Sequence, residues 1–187
     1  MKAIPLWLAV AITVVVSLPF GLWLNEWSLP LWAAFIVWAE YFALGAEPKA
    51  LKIMVPAYLL GVVGTTLVLI LMVALQKAIP DVKLVSATDV AIAIALFVGF
   101  CILIYAMKFF PVTQAGSLPF FNGISMTLAT YFIGYIGALA YWQYGGIDVG
   151  NDYLVPVVSA IPAALAGLLG AALGWFNVVI MKPFRGE

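Results

Sequence analysis

The sequence lacks histidine and contains a single cysteine, Cys101, which lies inside an apolar run. One cysteine cannot form an intrachain disulfide. The missing histidines exclude a Ser-His-Asp or Cys-His nucleophile pair and a haem with a proximal histidine, and they argue against a structural zinc site. We therefore expect neither an enzyme nor a bound metal or cofactor.

Charged residues are also scarce. They make up 9% of the chain and apolar residues 66%, against roughly a quarter and a half in soluble domains. A soluble fold of this size could not bury so much apolar surface, so membrane lipid is the expected partner. The formal net charge is zero and no basic run occurs, so we expect no nucleic-acid partner.

The apolar residues form long unbroken runs, such as residues 59–75 and 90–107, rather than the alternating pattern of barrel strands. At about 20 residues per crossing, six transmembrane helices are expected. We predict spans at residues 5–24, 28–45, 50–77, 89–110, 119–141 and 154–181. The first resembles a signal peptide but is expected to be retained, because it is long and lacks a small-x-small cleavage site.

The basic residues predict the orientation of these spans. If the amino terminus is cytoplasmic, six basic residues lie inside and two outside, as the positive-inside rule requires. The inner set comprises Lys2, Lys49, Lys52, Lys108, Lys182 and Arg185, and the outer set Lys77 and Lys83. We expect a multi-pass protein of a bacterial inner membrane with both termini in the cytoplasm.

An internal repeat divides the chain. The pattern Pro-Ala-x-Leu-x-Gly-x-x-Gly-x-x-Leu occurs at residues 56–67 and again, without a gap, at residues 162–173. Ser-Leu-Pro at residues 28–30 recurs at residues 117–119, and each copy is followed by a Tyr-Phe pair and a glycine. Prolines and glycines in fixed register favour duplication over chance similarity of apolar helices.

Each repeat unit holds three predicted helices, residues 1–80 and 81–187 of a single membrane domain. Because three is odd, the second unit must enter the membrane upside down. The predicted fold is an all-α integral membrane protein with a 3+3 inverted repeat, an arrangement typical of channels and secondary transporters. The repeated glycines Gly61, Gly64, Gly167 and Gly170 are expected to let helices pack closely, within a protomer or in a homo-oligomer.

The second and fifth helices carry the candidate solute path. Ser28 and Ser117 are expected to cap them, with a proline in the first turn. Glu40 is the only ionisable residue deep inside a predicted span, where a charge costs several kcal/mol unless it is paired, protonated or facing water. It is either a proton- or solute-binding carboxylate, or a neutral group that joins helices by hydrogen bonds; its counterpart in the other unit is Ala129 or Thr130.

Further candidates line the same two helices. The fifth helix is unusually polar, and we expect its side chains to face the solute or, alternatively, to bond neighbouring helices. Those residues are Asn122, Ser125, Thr127 and Thr130. Among the aromatic residues, Trp38 and Tyr41 lie deep enough to form a constriction.

The motifs on these helices also carry a resemblance. The pattern Leu-Pro-x-Trp-Ala-x-Phe-x-x-Trp-Ala-x-Tyr-Phe at residues 29–42, the following Gly45, Lys49 and Lys52, and Pro-Phe-Phe-x-Gly at residues 119–123 resemble a family of small bacterial inner-membrane proteins of unknown function. In that family a small residue is usual where this chain has Glu40. The 3+3 plan is also similar to that of bacterial urea and amide channels, by architecture alone.

The leading functional hypothesis is a channel or facilitator for a small neutral polar solute of urea or amide size. A proton-coupled secondary transporter that uses Glu40 is the first alternative. A substrate-binding subunit of an energy-coupling-factor importer and a non-transporting accessory subunit are two others.

Overall fold

The structure, a computed structural model, describes residues 4–25, 28–79, 89–132 and 151–181, and this part of the chain is helical with no strand. The predicted all-α class is confirmed for these residues. Seven α-helices lie there, joined in places by short 3₁₀ turns at Met107–Phe109 and Asp152–Leu154. The helices are α1 (Leu6–Leu22), α2 (Leu31–Ala43), α3 (Pro48–Ala78), α4 (Asp89–Ala106), α5 (Pro111–Ala115), α6 (Ser117–Phe132) and α7 (Val155–Met181).

Within the described residues, three segments are long and apolar enough to cross a bilayer: Pro48–Ala78, Val90–Phe109 and Asp152–Met181. Helices α1 and α2 are equally apolar but shorter. The 13 residues of α2 reach about 20 Å, less than the hydrocarbon thickness of about 30 Å. Residues 133–141 of the fifth predicted span lie outside the described residues, and the count of six crossings stays a prediction.

The distribution of polarity indicates a membrane protein. Large apolar side chains cover the outer surface; Phe97 of α4 and Trp7 of α1 are 71% and 72% exposed. Polar side chains lie inside, including Thr13, Glu40 and Asn177, each at most 3% exposed. This inside-out arrangement costs much free energy in water and little in lipid.

The helix starts differ from the expectation about serine caps. Pro30, not Ser28, is the N-cap residue of α2, and no side chain caps that end. Ser28 is buried in the turn before it, where its backbone N–H donates to Asn25. Ser117 is the first helical residue of α6, because α5 and Gly116 precede it directly. Both prolines nevertheless lie at a helix start, where a missing N–H costs little.

Contacts between helices give their relative directions. Gly123 near the start of α6 lies against Tyr58 and Val62 of α3, and Leu128 and Tyr131 lie further along against the Leu69–Met72 cluster. The residue numbers at these contacts increase together along both helices, so α3 and α6 run parallel. Helix α4 runs antiparallel to α3.

The antiparallel direction of α4 follows from two glycine contacts. Gly64 of α3 faces Leu103, and Gly99 of α4 faces Val68. By the same reasoning α2 and α7 are parallel, because Gly170 lies against Ala34 and Gly174 against Tyr41.

The four repeated glycines lie in different interfaces. A Cβ at Gly61 would meet the carbonyl oxygen of Phe120 in α6, and one at Gly64 would meet Leu103 of α4. A Cβ at Gly167 would meet the ring of Tyr58, and one at Gly170 the backbone of α2. Each glycine therefore allows a close approach inside one protomer.

Candidate functional site

Glu40 lies in the last turns of α2 and is 3% exposed. Helix α2 contacts α1, α3, α6 and α7. In the described part of the chain, the other acidic and basic residues lie at helix ends or between helices. The burial of this one carboxyl group makes it the centre of the candidate site.

Asn122 of α6 contacts Glu40 directly. The Asn122 side-chain N–H (Nδ2) donates a hydrogen bond to Glu40 Oε1, across the interface between α2 and α6. The second carboxyl oxygen, Oε2, is buried and accepts no hydrogen bond. A carboxylate with two oxygens can accept several bonds, so Glu40 retains unused acceptor capacity in the interior.

Tyr58 of α3 is a residue that the sequence reasoning missed. It is 1% exposed, its hydroxyl donates to the carbonyl oxygen of Ala163 at 2.8 Å, and its ring fills the space that Gly167 leaves open. The sequence did contain a feature that could have pointed to Tyr58, since it is a polar aromatic residue inside the repeated Pro-Ala-x-Leu pattern.

The other candidates on α6 divide between two faces. Thr127 and Thr130 are at most 1% exposed, and their hydroxyls donate to the carbonyl oxygens of Gly123 and Thr127 at 2.8 and 3.0 Å. Ser125 is exposed and donates to Phe121 at 3.0 Å within its own helix. Ser125 therefore points away from the interior that Thr127 and Thr130 face.

The rings of the two aromatic candidates on α2 pack against α1 and α7 rather than against α6. Trp38 lines an apolar recess together with Val10, Phe35, Ala39 and Phe42, on the side toward α1. Tyr41 is fully buried against Gly174 of α7. The Trp38 Nε1 and Tyr41 hydroxyl groups are both buried without a hydrogen-bond partner.

A polar recess lies at the end of the molecule where α3 finishes and α7 begins. Lys77 and Asp152 form an ion pair of 2.8 Å there, and Lys77 Nζ lies 4.7 Å from the ring centre of Tyr153. Gln76 and Tyr131 complete the polar lining. Both charged side chains remain largely exposed to solvent, so this pair contributes little stability.

The fold and the site define an all-helical protein with helices of membrane-spanning length and a buried carboxyl group that accepts a hydrogen bond from a partly buried amide. The chain belongs to the family described as Protein of unknown function (DUF1097), whose family model matches residues 3–182. The expected membership of an uncharacterised family is thereby confirmed over nearly the whole chain. No curated protein and no solved structure matches the chain.

Proposed function

We propose that this protein is a secondary transporter of a small polar solute, with Glu40 as its proton-binding group. The observation that carries the proposal is the direct hydrogen bond from Asn122 to Glu40 across α2 and α6, beside a buried carboxyl oxygen that has no partner. An ionisable group in a membrane interior is costly and is found where an ion or solute passes. Glu40 meets that description.

The helix directions support an inverted repeat around this site. Helices α3 and α6 are parallel, as are α2 and α7. In the predicted repeat α2 corresponds to α6 and α3 to α7, so exchanging the two units converts the first pair into the second. Helices α3 and α7 meet through the Tyr58–Ala163 bond, and Ala163 is the repeat counterpart of Ala57, the neighbour of Tyr58. A twofold axis brings positions next to their own counterparts in this way.

A carrier fits the geometry better than a permanently open channel. The path expected between the second and fifth helices passes through the α2–α6 interface, and the Glu40–Asn122 pair occupies that interface. Passage requires this pair to separate. Movement of one three-helix unit against the other, as in known inverted-repeat transporters, provides such a separation.

Proton-driven uptake into proteoliposomes tests the proposal. Radiolabelled urea, acetamide, glycerol and guanidinium would be offered with and without an imposed pH gradient. We expect at least one of them to accumulate only with the gradient, and we expect Glu40→Gln to abolish that dependence. Glutamine has the same shape as glutamate and accepts the hydrogen bond from Asn122, but it does not bind or release a proton at the pH of the assay.

Glu47→Gln is the matched control, since Glu47 is an exposed acid in the turn between α2 and α3 and should leave uptake unchanged. Equal uptake with and without the gradient would favour the passive channel instead. An accessory subunit would be favoured if none of the four solutes is taken up and if the Asn122→Ala and Thr127→Ala variants behave like the unaltered protein.

A further inference from the structure

Hydrogen-bond acceptors outnumber donors around Glu40. Glu40 Oε2 has no donor. Asn122 donates one of its two side-chain N–H groups to Oε1, and it keeps the second N–H and its own carbonyl oxygen. A molecule that joined this site would bind best if it brought donors of its own.

The buried hydroxyl groups of Tyr58, Thr127 and Thr130 do not supply such donors. The Tyr58 hydroxyl donates to Ala163, and the Thr127 and Thr130 hydroxyls donate to carbonyl oxygens of their own helix. A hydroxyl has one proton to donate, so what these three retain is acceptor lone pairs. Thr65, two turns beyond Tyr58 on α3, has a buried hydroxyl without a partner and can act either way.

The helices around Glu40 also bring no positive charge to it. Leu6–Leu22 and Val155–Met181 contain no ionisable residue, and Ser117–Phe132 contains only Tyr131, near its end. On α3 the ionisable residues are Tyr58 and three lysines, and these lysines are exposed: Lys49, Lys52 and Lys77. A buried carboxylate without a countercharge costs several kcal/mol, and either a proton or a bound cation removes that cost.

Unpartnered donors exist elsewhere on α2 but not at this site. Residues 38 and 40 are about 200° apart around a helix and residues 40 and 41 about 100°. Trp38 accordingly faces the recess near α1, and Tyr41 faces Gly174 of α7. The rings of Trp38 and Tyr41 therefore lie on other faces of α2 than the Glu40 side chain.

We infer that the Glu40 site binds a small organic cation with several N–H donors, of the guanidinium or primary-ammonium class, in exchange for a proton. The inference rests on the proposed transport function and names its substrate class. The exchange balances, because the protonated carboxyl releases H⁺ as the cation binds the carboxylate. An anion would be repelled by the carboxylate, and a neutral amide would bring no positive charge to replace that of the released proton.

Proton release on binding is the direct test. Purified protein in weakly buffered detergent solution would be titrated with guanidinium, with its neutral planar analogue urea, and with tetramethylammonium, a cation without N–H groups. We expect guanidinium binding to release up to about one proton per protein. In the pH range in which Glu40 is protonated, the apparent affinity for guanidinium should fall about tenfold for each unit by which the pH is lowered. Urea should release none, and tetramethylammonium should bind at least about tenfold more weakly than guanidinium.

Glu40→Gln should abolish the release and Glu47→Gln should retain it. Because Glu40→Gln could fail to fold, the infrared band of the protonated carboxyl group provides a second measurement on the unaltered protein, and guanidinium should diminish it. Equal binding of tetramethylammonium and guanidinium, or no release with guanidinium, overturns the cation inference. Proton-driven uptake of urea would then keep the proposed function intact, whereas failure of every solute would remove both.

Discussion

The Asn122–Glu40 hydrogen bond joins two helices through one donor and one buried acceptor. Asn122→Ala removes the donor and leaves both carboxyl oxygens without a partner. We expect the protein to lose about 1–3 kcal/mol of stability, the usual cost of a buried polar group left unpaired. Thermal unfolding in detergent, followed by circular dichroism, measures the loss.

Ser125→Ala is the control on the same helix. Its hydroxyl is exposed and bonds only to Phe121 in the preceding turn. The melting temperature should therefore change little. An equal drop in both variants would mean that Asn122 contributes no bond specific to Glu40.

Tyr58→Phe separates the hydroxyl of Tyr58 from its ring. The ring continues to fill the space beside Gly167, and the bond to Ala163 between α3 and α7 is lost. A destabilisation of about 0.6–2 kcal/mol is expected, the range for hydrogen bonds between membrane helices. Tyr105→Phe serves as the comparison because Tyr105 is 64% exposed, and the prediction fails where the two substitutions cost the same.

Sequence reasoning identified Glu40 and Asn122 because a charge or an amide in an apolar run is conspicuous. It could not pair them, since the register between two helices 82 positions apart depends on packing. It chose Trp38 and Tyr41 by depth alone, and depth does not specify which face of α2 a side chain occupies. Tyr58 was missed because a tyrosine in a long apolar helix resembles ordinary core packing.

The cost of replacing a glycine at a close helix contact depends on which atoms the glycine faces. A methyl group at Gly61 would meet the backbone carbonyl of Phe120, which cannot move without the helix, whereas one at Gly64 would meet the end of the Leu103 side chain. We expect Gly61→Ala to destabilise by about 1–3 kcal/mol, as overpacked cores do. Gly64→Ala should cost less, because Leu103 can change rotamer and alanine favours a helix by about 1 kcal/mol.

Unfolding of the two variants in a denaturing detergent would compare their stabilities. Both substitutions add the same methyl group to the same helix, so differences in expression or detergent affinity should cancel. Gly64→Ala being the less stable variant would contradict the assignment of Gly61 to the rigid α3–α6 contact.

Helix positions were predictable where apolar runs are long. Helices α3, α4 and α7 lie where the runs placed them, because lipid leaves the backbone no other structure. The short α5 and the start of α2 were not predicted. Local hydrogen bonds in the turns, such as that from Leu29 N–H to Phe20, decide where these helices begin, and hydropathy carries no information about such bonds.

The order of helices through the membrane makes a prediction for the whole molecule. Lys49 lies at the start of α3 and Lys108 just beyond the end of the antiparallel α4, so both should face one side; Lys77 and its partner Asp152 should face the other. Single cysteines at these four positions, in a Cys101→Ser background, would be labelled with a membrane-impermeant maleimide. Labelling of all four from one side would contradict the predicted crossings.

The repeat predicts which helices pair but not the register of the pairs. Gly61 of α3 lies against the backbone of α6, whereas on α7 the repeated glycine that lies against the backbone of α2 is Gly170, the counterpart of Gly64. The two equivalent contacts are thus displaced by about one helical turn. After duplication each copy acquires its own side chains, and packing in one half no longer constrains packing in the other.

Glu40 has no acidic counterpart in the second unit, where Ala129 and Thr130 occupy the matching positions. A single carboxyl group limits the stoichiometry of the proposed cycle to one proton for each monovalent cation. No net charge then crosses the membrane in a complete cycle. The concentration ratio of the cation across the membrane would be about tenfold for each unit of pH difference between the two compartments. It would not depend on the membrane potential.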